Sequence, residues 1–329
     1  MTEGKPPYAI EGLSRPTLAL SFAAAVIFVY LRTFRLPATP FVGIGDQILF
    51  FARAARMVHG QVLYRDFFEL VPPGTDLLYA AAFRVFGIHA RVMQAWAIVL
   101  GLAFCWVVTW IASRILTGAL ALLPALLFLV FDFSSGLDLT HHWYSTLAAL
   151  AAVGVLMEGV SLRRIVAAGA LCAIATLFTQ MQGGLTFLAL AVYLLWRKRC
   201  DQESSVLKQV VAAALPFTLV LCCVLGYYAY RAGFWTIFFD LFVFPPKFLS
   251  GEVNSPRTYL RQLPPLHTPA DLVHLLPYCF YLCACSLYLP CGVLPAVAKA
   301  RSTPGGSSTA SPSAPPGRGW AVSRGCERT

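Results

Sequence analysis

Charge is what this sequence has least of. Asp, Glu, Lys and Arg make up 12% of its 329 residues, against roughly 25% in ordinary soluble domains, which disfavours a soluble globular enzyme. Signatures of phosphate cradles and metalloproteases are missing as well. No G-x-x-x-x-G-K-[ST] loop, G-x-G-x-x-G turn or H-E-x-x-H helix occurs, which argues against a cytosolic nucleotide enzyme. No internal repeat of the kind that marks many transporters is visible. The ten cysteines form no secreted disulfide framework, because Cys105, Cys172, Cys222, Cys223, Cys279, Cys283 and Cys285 fall inside apolar stretches, where Cys acts as a small buried hydrophobe. Cys279, Cys283 and Cys285 lie in an apolar spanning segment without a nearby His, a poor setting for zinc.

Apolar residues are abundant instead: 58% of the chain, with mean hydropathy +0.69. Long apolar runs cover Thr17 to Leu36, Val92 to Ala112, Ile115 to Phe131, Trp143 to Gly159, Ile165 to Thr179, Gly184 to Trp196, Val210 to Tyr230 and Leu272 to Val297. At the ~20 residues a bilayer crossing needs, this is about eight transmembrane helices, and the fold class is an all-α polytopic membrane helical bundle. The runs at Ile165 and Gly184 are short and could join as a re-entrant pair. The first run has no small-residue cleavage site and reads as a retained signal anchor.

The net charge of +10 is scattered in short clusters between the runs, which fits membrane topology better than nucleic acid. With a cytoplasmic N-terminus, the basic turns at Arg114, Arg163-Arg164, Arg197-Lys198-Arg199 with Lys208, and Lys299 with Arg301 all fall inside. Asp46, Asp66, Glu69, Asp132, Asp138, His141, His142, Asp240 and Glu252 then fall outside. Residues 1–298 read as the membrane domain. Residues 299–329, rich in Ser, Pro and Gly, read as a disordered tail whose abrupt composition also fits a truncated or frameshifted end.

The first outer loop, residues 37–91, is expected to be structured. GDQILFFARAARMVHG sets Ile48, Phe51, Ala52, Ala55 and Val58 at helical spacing, with Arg53 and Arg56 on the polar side and Gly60 as a stop. Pro72 and Pro73 then open a second helix, TDLLYAAAFRVF, stopped by Gly87. Both would lie along the membrane interface. A second outer segment, Arg231 to Asp271, combines prolines with interfacial aromatics and could cover a cleft.

Candidate chemistry gathers in these outer segments. Asp46 begins the first loop helix, either as an N-cap or as a carboxylate able to take a proton from an acceptor hydroxyl. Arg65, Asp66 and Glu69 are either interfacial ion pairs or, with Asp46, a cluster able to bind a sugar and its phosphate. Asp138, His141 and His142 sit between two spans, as a helix cap with interfacial histidines or as hydrogen-bonders facing the same cavity. Gln180 and Gln182 could bond sugar hydroxyls, and Lys247 could offset phosphate charge.

The order of motifs resembles a known family: a first span, an acid in a long outer loop, then Gly60-x-x-x-Tyr64-Arg65-Asp66-Phe67, Pro72-Pro73-Gly74, Leu77-Leu78-Tyr79 and Phe86-Gly87. This resembles the GT-C superfamily of membrane glycosyltransferases, particularly the protein O-mannosyltransferase and lipid A aminoarabinose transferase branch with its bacterial Rgt-type relatives. In motif the match runs from about Gly43 to Gly87, and in span layout to about Leu294. The resemblance implies a multi-pass protein of a bacterial inner (plasma) membrane. It would transfer a sugar from a polyprenyl-phosphate donor to a glycan, lipid or protein acceptor at the extracytoplasmic face. Asp46 matches the family's first-loop acid, implying the general base.

Two positions depart from the family pattern. Gln47 stands where many members have a second acid, which removes support for a shared divalent cation and leaves the metal unassigned. Val71 stands where relatives often have His or Lys, so Arg65, Lys247 or His142 would have to meet the phosphate. The chain is also short for the superfamily, so an inactive truncated homologue stays open beside a transporter or lipid flippase and a non-enzymatic scaffold.

Overall fold

A computed structural model describes residues 13–35, 39–40, 45–133, 139–200 and 206–249. All lie in the first of two compact units, 1–251. The second unit, 252–329, is outside the described residues, and with it the run at Leu272, the Cys279–Cys285 cluster and the boundary expected at residue 298.

The described chain is helical apart from loops and a two-residue antiparallel ribbon, β1 (Phe34–Arg35) with β2 (Thr39–Pro40). Helix α1 (Arg15–Thr33) starts where the Thr17 amide donates to Ser14 Oγ at 3.2 Å, with proline in its first turn. Helices α2 (Asp46–Val58) and α3 (Gly74–Phe86) follow as the sequence predicts. Gly60 and Gly87 sit just beyond them at φ 92° and 83°, a left-handed backbone that stops a helix and suits glycine. Helix α4 (Ala90–Ala112) packs against α1. The expected run Ile115–Phe131 is broken into a 3₁₀ turn (Gly118–Leu122), α5 (Leu123–Leu127) and a π turn (Phe128–Phe133), with Pro124 in the first turn of α5.

Helices α6 (His141–Met157), α7 (Leu162–Phe178), α8 (Gln180–Cys200) and α9 (Val206–Ala232) complete the bundle. The short pair expected at Ile165 and Gly184 is α7 and α8, separated only by Thr179. Helix α7 packs between α6 and α9 because its contact faces are small: a Cβ on Gly169 would lie 2.2 Å from the Ala213 carbonyl oxygen of α9. Short helices α10 (Phe234–Phe238) and α11 (Phe244–Leu249) follow, joined by a π turn.

Three helices, α1, α4 and α9, are long and apolar enough to cross a membrane. Helices α6 and α7, 17 residues each, extend about 25 Å, slightly less than the ~30 Å hydrocarbon core. By length and composition the described residues therefore supply fewer spans than the sequence suggests. Helix α9 is nonetheless hard to place in water. Leu207, Val211, Leu215 and Leu219 form an exposed row at four-residue spacing, and each would gain roughly 2 kcal/mol on leaving water. A lipid environment removes that penalty.

The larger core lies beneath α2 and α3, where Phe50, Tyr79, Phe83, Phe104, Phe133 and Leu139 are buried together. The two ends of α6 differ sharply. Past its C-terminus, Glu158 pairs with Arg114, accepts from Trp110 Nε1 at 3.0 Å, and offers its carbonyl to Arg164. At its N-terminus, His141 turns toward the first-loop helices.

Candidate functional site

Helix α2 begins at Gly45, whose φ of 151° suits only glycine. Asp46 is the first helical residue, exposed, and makes no capping hydrogen bond. It is therefore not the N-cap. Helix α2 also presents a different face from the one its apolar spacing suggests. Gln47, Phe50, Ala54 and Met57 are buried, while Ile48 and Ala52 are exposed. The exposed Ile48 and Leu49 suit a helix lying along an apolar interface, while the neighbouring stripe packs inward.

The inner side of α2 is polar at its centre. Arg53 pairs with Glu69, which is buried and accepts from the Val71 amide at 3.0 Å. The guanidinium lies 5.5 Å from the Phe50 ring centroid. Burial lowers the basicity of Arg53, and the negative charges of Asp76 and Asp46 oppose that shift. One cation is thus shared among Glu69, Asp76 and Asp46.

The loop between α2 and α3 is held by its own residues. Asp66 Oδ2 accepts from the Val62 amide at 2.7 Å, and Arg65 donates to both carboxylate oxygens at 2.9 Å. The Arg65 guanidinium and the Val62 amide together hold the Asp66 carboxyl down to about 2. Tyr64 sits at φ 66°, and its hydroxyl donates to the Val71 carbonyl at 2.8 Å. The Tyr-Arg-Asp-Phe motif therefore builds a tight turn that presents Glu69 to Arg53. Arg56 braces the same turn, donating to the Asp66 carbonyl at 3.1 Å and stacking over Phe67 at 4.3 Å.

Helix α3 brings the residue that sequence reasoning missed. Asp76 is fully buried on the stripe that carries Tyr79, Ala80 and Phe83, and neither carboxylate oxygen bonds another residue. Burial raises its carboxyl to about 7, against the pull of Arg53. The signal was present in the spacing: a carboxylate at i with apolar residues at i+3, i+4 and i+7 is on the core face. Gly74, one turn earlier, lets the chain pass close to α7, since a Cβ there would meet the Leu177 carbonyl oxygen at 2.5 Å.

His141 and His142 separate as adjacent helical residues should: His141 is buried and His142 exposed. The His141 ring meets Phe50 edge-on at 5.6 Å. Burial, helped by His142 and Arg53, pushes its imidazole down to about 3, so it stays neutral. Gln182 donates to Thr146 Oγ1 at 2.8 Å and Gln180 to the Leu70 carbonyl at 3.2 Å. Both tie helices to one another or to the first loop. Lys247 is exposed on α11, which meets the loop through Phe68 and Phe244, ring centroids 4.7 Å apart. Asp138 lies outside the described residues.

An apolar groove of about 390 Å³ runs between α4, α6 and α7, lined among others by Leu78, Trp96, Leu100, Ala148 and Phe178. Tyr144 lines it too, and its hydroxyl donates to Tyr79 Oη at 3.1 Å, which donates to the Leu139 carbonyl at 2.5 Å. Tyr144 stands one helical turn after His141, and Tyr79 one turn after Asp76. Among the described residues, no three His, Cys, Asp or Glu converge as a metal site would require.

Compared with protein-family models, curated proteins and solved structures, the chain matches none. The chemical reading therefore stands on the site itself.

Proposed function

We propose that the chain is a multi-pass membrane glycosyltransferase of the GT-C type, transferring a sugar from a polyprenyl-phosphate donor to a glycan, lipid or protein acceptor. The observation that supports this reading is one juxtaposition. Tyr144 in the wall of an apolar groove stands one helical turn from His141, and Arg53, paired with Glu69, interacts electrostatically with His141, Asp46 and Asp76. A lipid-linked sugar needs that layout, with hydrocarbon beside the helices and the sugar phosphate at their outer ends.

In the proposed step, the acceptor hydroxyl attacks the anomeric carbon while Asp46 takes its proton. The bond from that carbon to the phosphate oxygen breaks, and polyprenyl phosphate leaves. Asp46 suits the role because it is exposed at the rim and relieved of capping. Arg65 is committed to Asp66, which leaves Lys247 and His142 to offset the phosphate charge.

The test is transfer of radiolabelled sugar from a panel of polyprenyl-phosphate sugars in proteoliposomes. Asp46→Asn should lower transfer by at least about 100-fold with the protein still folded, the usual scale of a lost general base. Undiminished transfer would remove Asp46 from the reaction.

One observation favours a second reading, transport or flipping of the same lipid. Asp76 and Asp240 are both buried within the helical body, where transporters keep ionisable groups. Movement of a labelled donor across the same vesicles, without its consumption, would establish that alternative.

A further inference from the structure

Where the chain turns from α3 into α4, the fold leaves an open cavity of about 650 Å³, lined among others by Pro40, Phe86, Ile88, His89, Arg91 and Val92. Two segments build it. Pro40 belongs to β2, in the ribbon that follows α1, and residues 86–92 form the corner between α3 and α4. Gly87, at φ 83°, makes that corner and leaves space for the His89 ring to fold back over it, since a Cβ on Gly87 would lie 3.1 Å from His89 Nε2. The cavity shares no lining residue with the groove between α4, α6 and α7.

Its depth follows from the helices beside it. Helices α1 and α4 are both long and apolar enough to cross a membrane, and they pack against each other. The cavity lies where α1 has ended and α4 begins. That is the boundary between membrane and water, the level at which lipid phosphates sit. Val85 and Phe86, 73% and 65% exposed, stand just before the corner. At that depth lipid hydrocarbon is what covers such side chains.

The charge on the lining has one sign. No Asp or Glu occurs from Arg15 to Gly45 or from Leu77 to Phe131, the stretches that contain both lining segments. Other arginines of the loop-bearing end are engaged: Arg53 with Glu69, Arg65 with Asp66, Arg56 with the Asp66 carbonyl and Arg231 with the Tyr227 hydroxyl. Arg91 and His89 are exposed, and neither side chain makes a hydrogen bond or ion pair with another described residue. A guanidinium matches two phosphate oxygens at once, and an imidazole bonds hydroxyls or a further phosphate oxygen.

We propose that this cavity binds the headgroup of a net-anionic phospholipid of the surrounding bilayer. Its phosphate meets Arg91, its headgroup hydroxyls meet His89, and its tails cover Val85 and Phe86. A zwitterionic lipid fits less well, because its ammonium would enter beside Arg91 with no carboxylate from either lining segment to receive it. The site stands apart from the transferase reading and does not depend on it.

The experiment measures lipid binding to the full chain in detergent micelles, with Kd read from native mass spectra. The probes are phosphatidylglycerol, phosphatidylcholine, polyprenyl phosphate and inorganic phosphate. Wild type should bind phosphatidylglycerol about tenfold more tightly than phosphatidylcholine, the fold-change one charge-assisted hydrogen bond supplies. Arg91→Gln should abolish that preference, and Arg91→Lys should keep part of it. Arg231→Gln removes the same charge outside the cavity and should leave the preference unchanged. Because Arg91 is exposed and unpaired, its variants should melt with wild type in phosphatidylcholine. A phosphatidylglycerol with a photoreactive headgroup should label residues 84–92 in wild type and not in Arg91→Gln.

Equal affinity for the two phospholipids overturns the site, as does a preference that survives Arg91→Gln or falls equally with Arg231→Gln. Arg91-dependent binding of polyprenyl phosphate but not phosphatidylglycerol overturns it too, and assigns the cavity to a donor lipid. Inorganic phosphate that binds as tightly as phosphatidylglycerol removes the lipid from the proposal and overturns it.

Discussion

Asp76 and Asp66 respond to pH in opposite directions, and each response can be read at its own residue. The Asp76 carboxyl is raised to about 7 by burial. Between its ordinary value and 7 the folded protein holds a proton that the unfolded chain has released. Its contribution to stability is therefore intact at low pH and falls as pH rises through about 4 to 7, by about 4 kcal/mol. Asp66, held at about 2 by Arg65 and the Val62 amide, stabilises at neutral pH and loses that contribution as pH falls below about 4 toward 2. Melting temperature against pH should show both slopes. Asp76→Asn should erase the first, and Asp66→Asn the second. The Arg53–Glu69 pair offers a further check. Glu69→Gln leaves a partly exposed guanidinium without its buried partner and should cost about 2 kcal/mol, less than the roughly 3–5 kcal/mol of a fully buried pair. Adding Arg53→Met should restore much of the loss in the same thermal assay.

At the scale of elements, close helix contact outweighs intrinsic propensity. Alanine normally stabilises a helix interior relative to glycine by about 1 kcal/mol. At Gly169 the added carbon would sit 2.2 Å from the Ala213 carbonyl oxygen, so α7 and α9 must separate. Gly169→Ala should therefore destabilise by roughly 1–3 kcal/mol. Gly226, on α9, has nothing within 4 Å of its Cβ position, and Gly226→Ala should stabilise by up to about 1 kcal/mol. Opposite signs in one melting series would confirm that the α7–α9 seam, rather than helix formation, limits stability. Helices α2 and α3 were legible in the chain because their glycine stops and the proline pair before α3 act locally. The rotation of α2 about its own axis was not. Which stripe is buried depends on whether water or hydrocarbon lies outside the helix, and its sequence contains apolar residues on both stripes.

At the scale of the whole molecule, the two ends of α6 carry different chemistry about 25 Å apart. One end holds Glu158 among Arg114 and Arg164, and the other holds His141 near Arg53. If the basic end is cytoplasmic, single cysteines at Arg163 and Gln61 should react with a membrane-impermeant thiol reagent from opposite sides of intact cells. Labelling of both from one side would overturn the bilayer-spanning arrangement.

Composition and local pattern determined the helical class, the apolar character of the runs, the ends of the first-loop helices and the region where acids collect. These depend on neighbours within a few residues, through turn geometry, side-chain spacing and the scarcity of charge. Tertiary structure decided which of those polar residues share a site. It paired Arg65 with Asp66 across their own exposed turn, paired Arg53 with Glu69, and buried Gln47, Asp76 and His141. Contacts of this kind join residues as far as 110 positions apart along the chain, Leu70 to Gln180. They are fixed by how helices α2, α3 and α6 pack, a long-range property that no local spacing specifies.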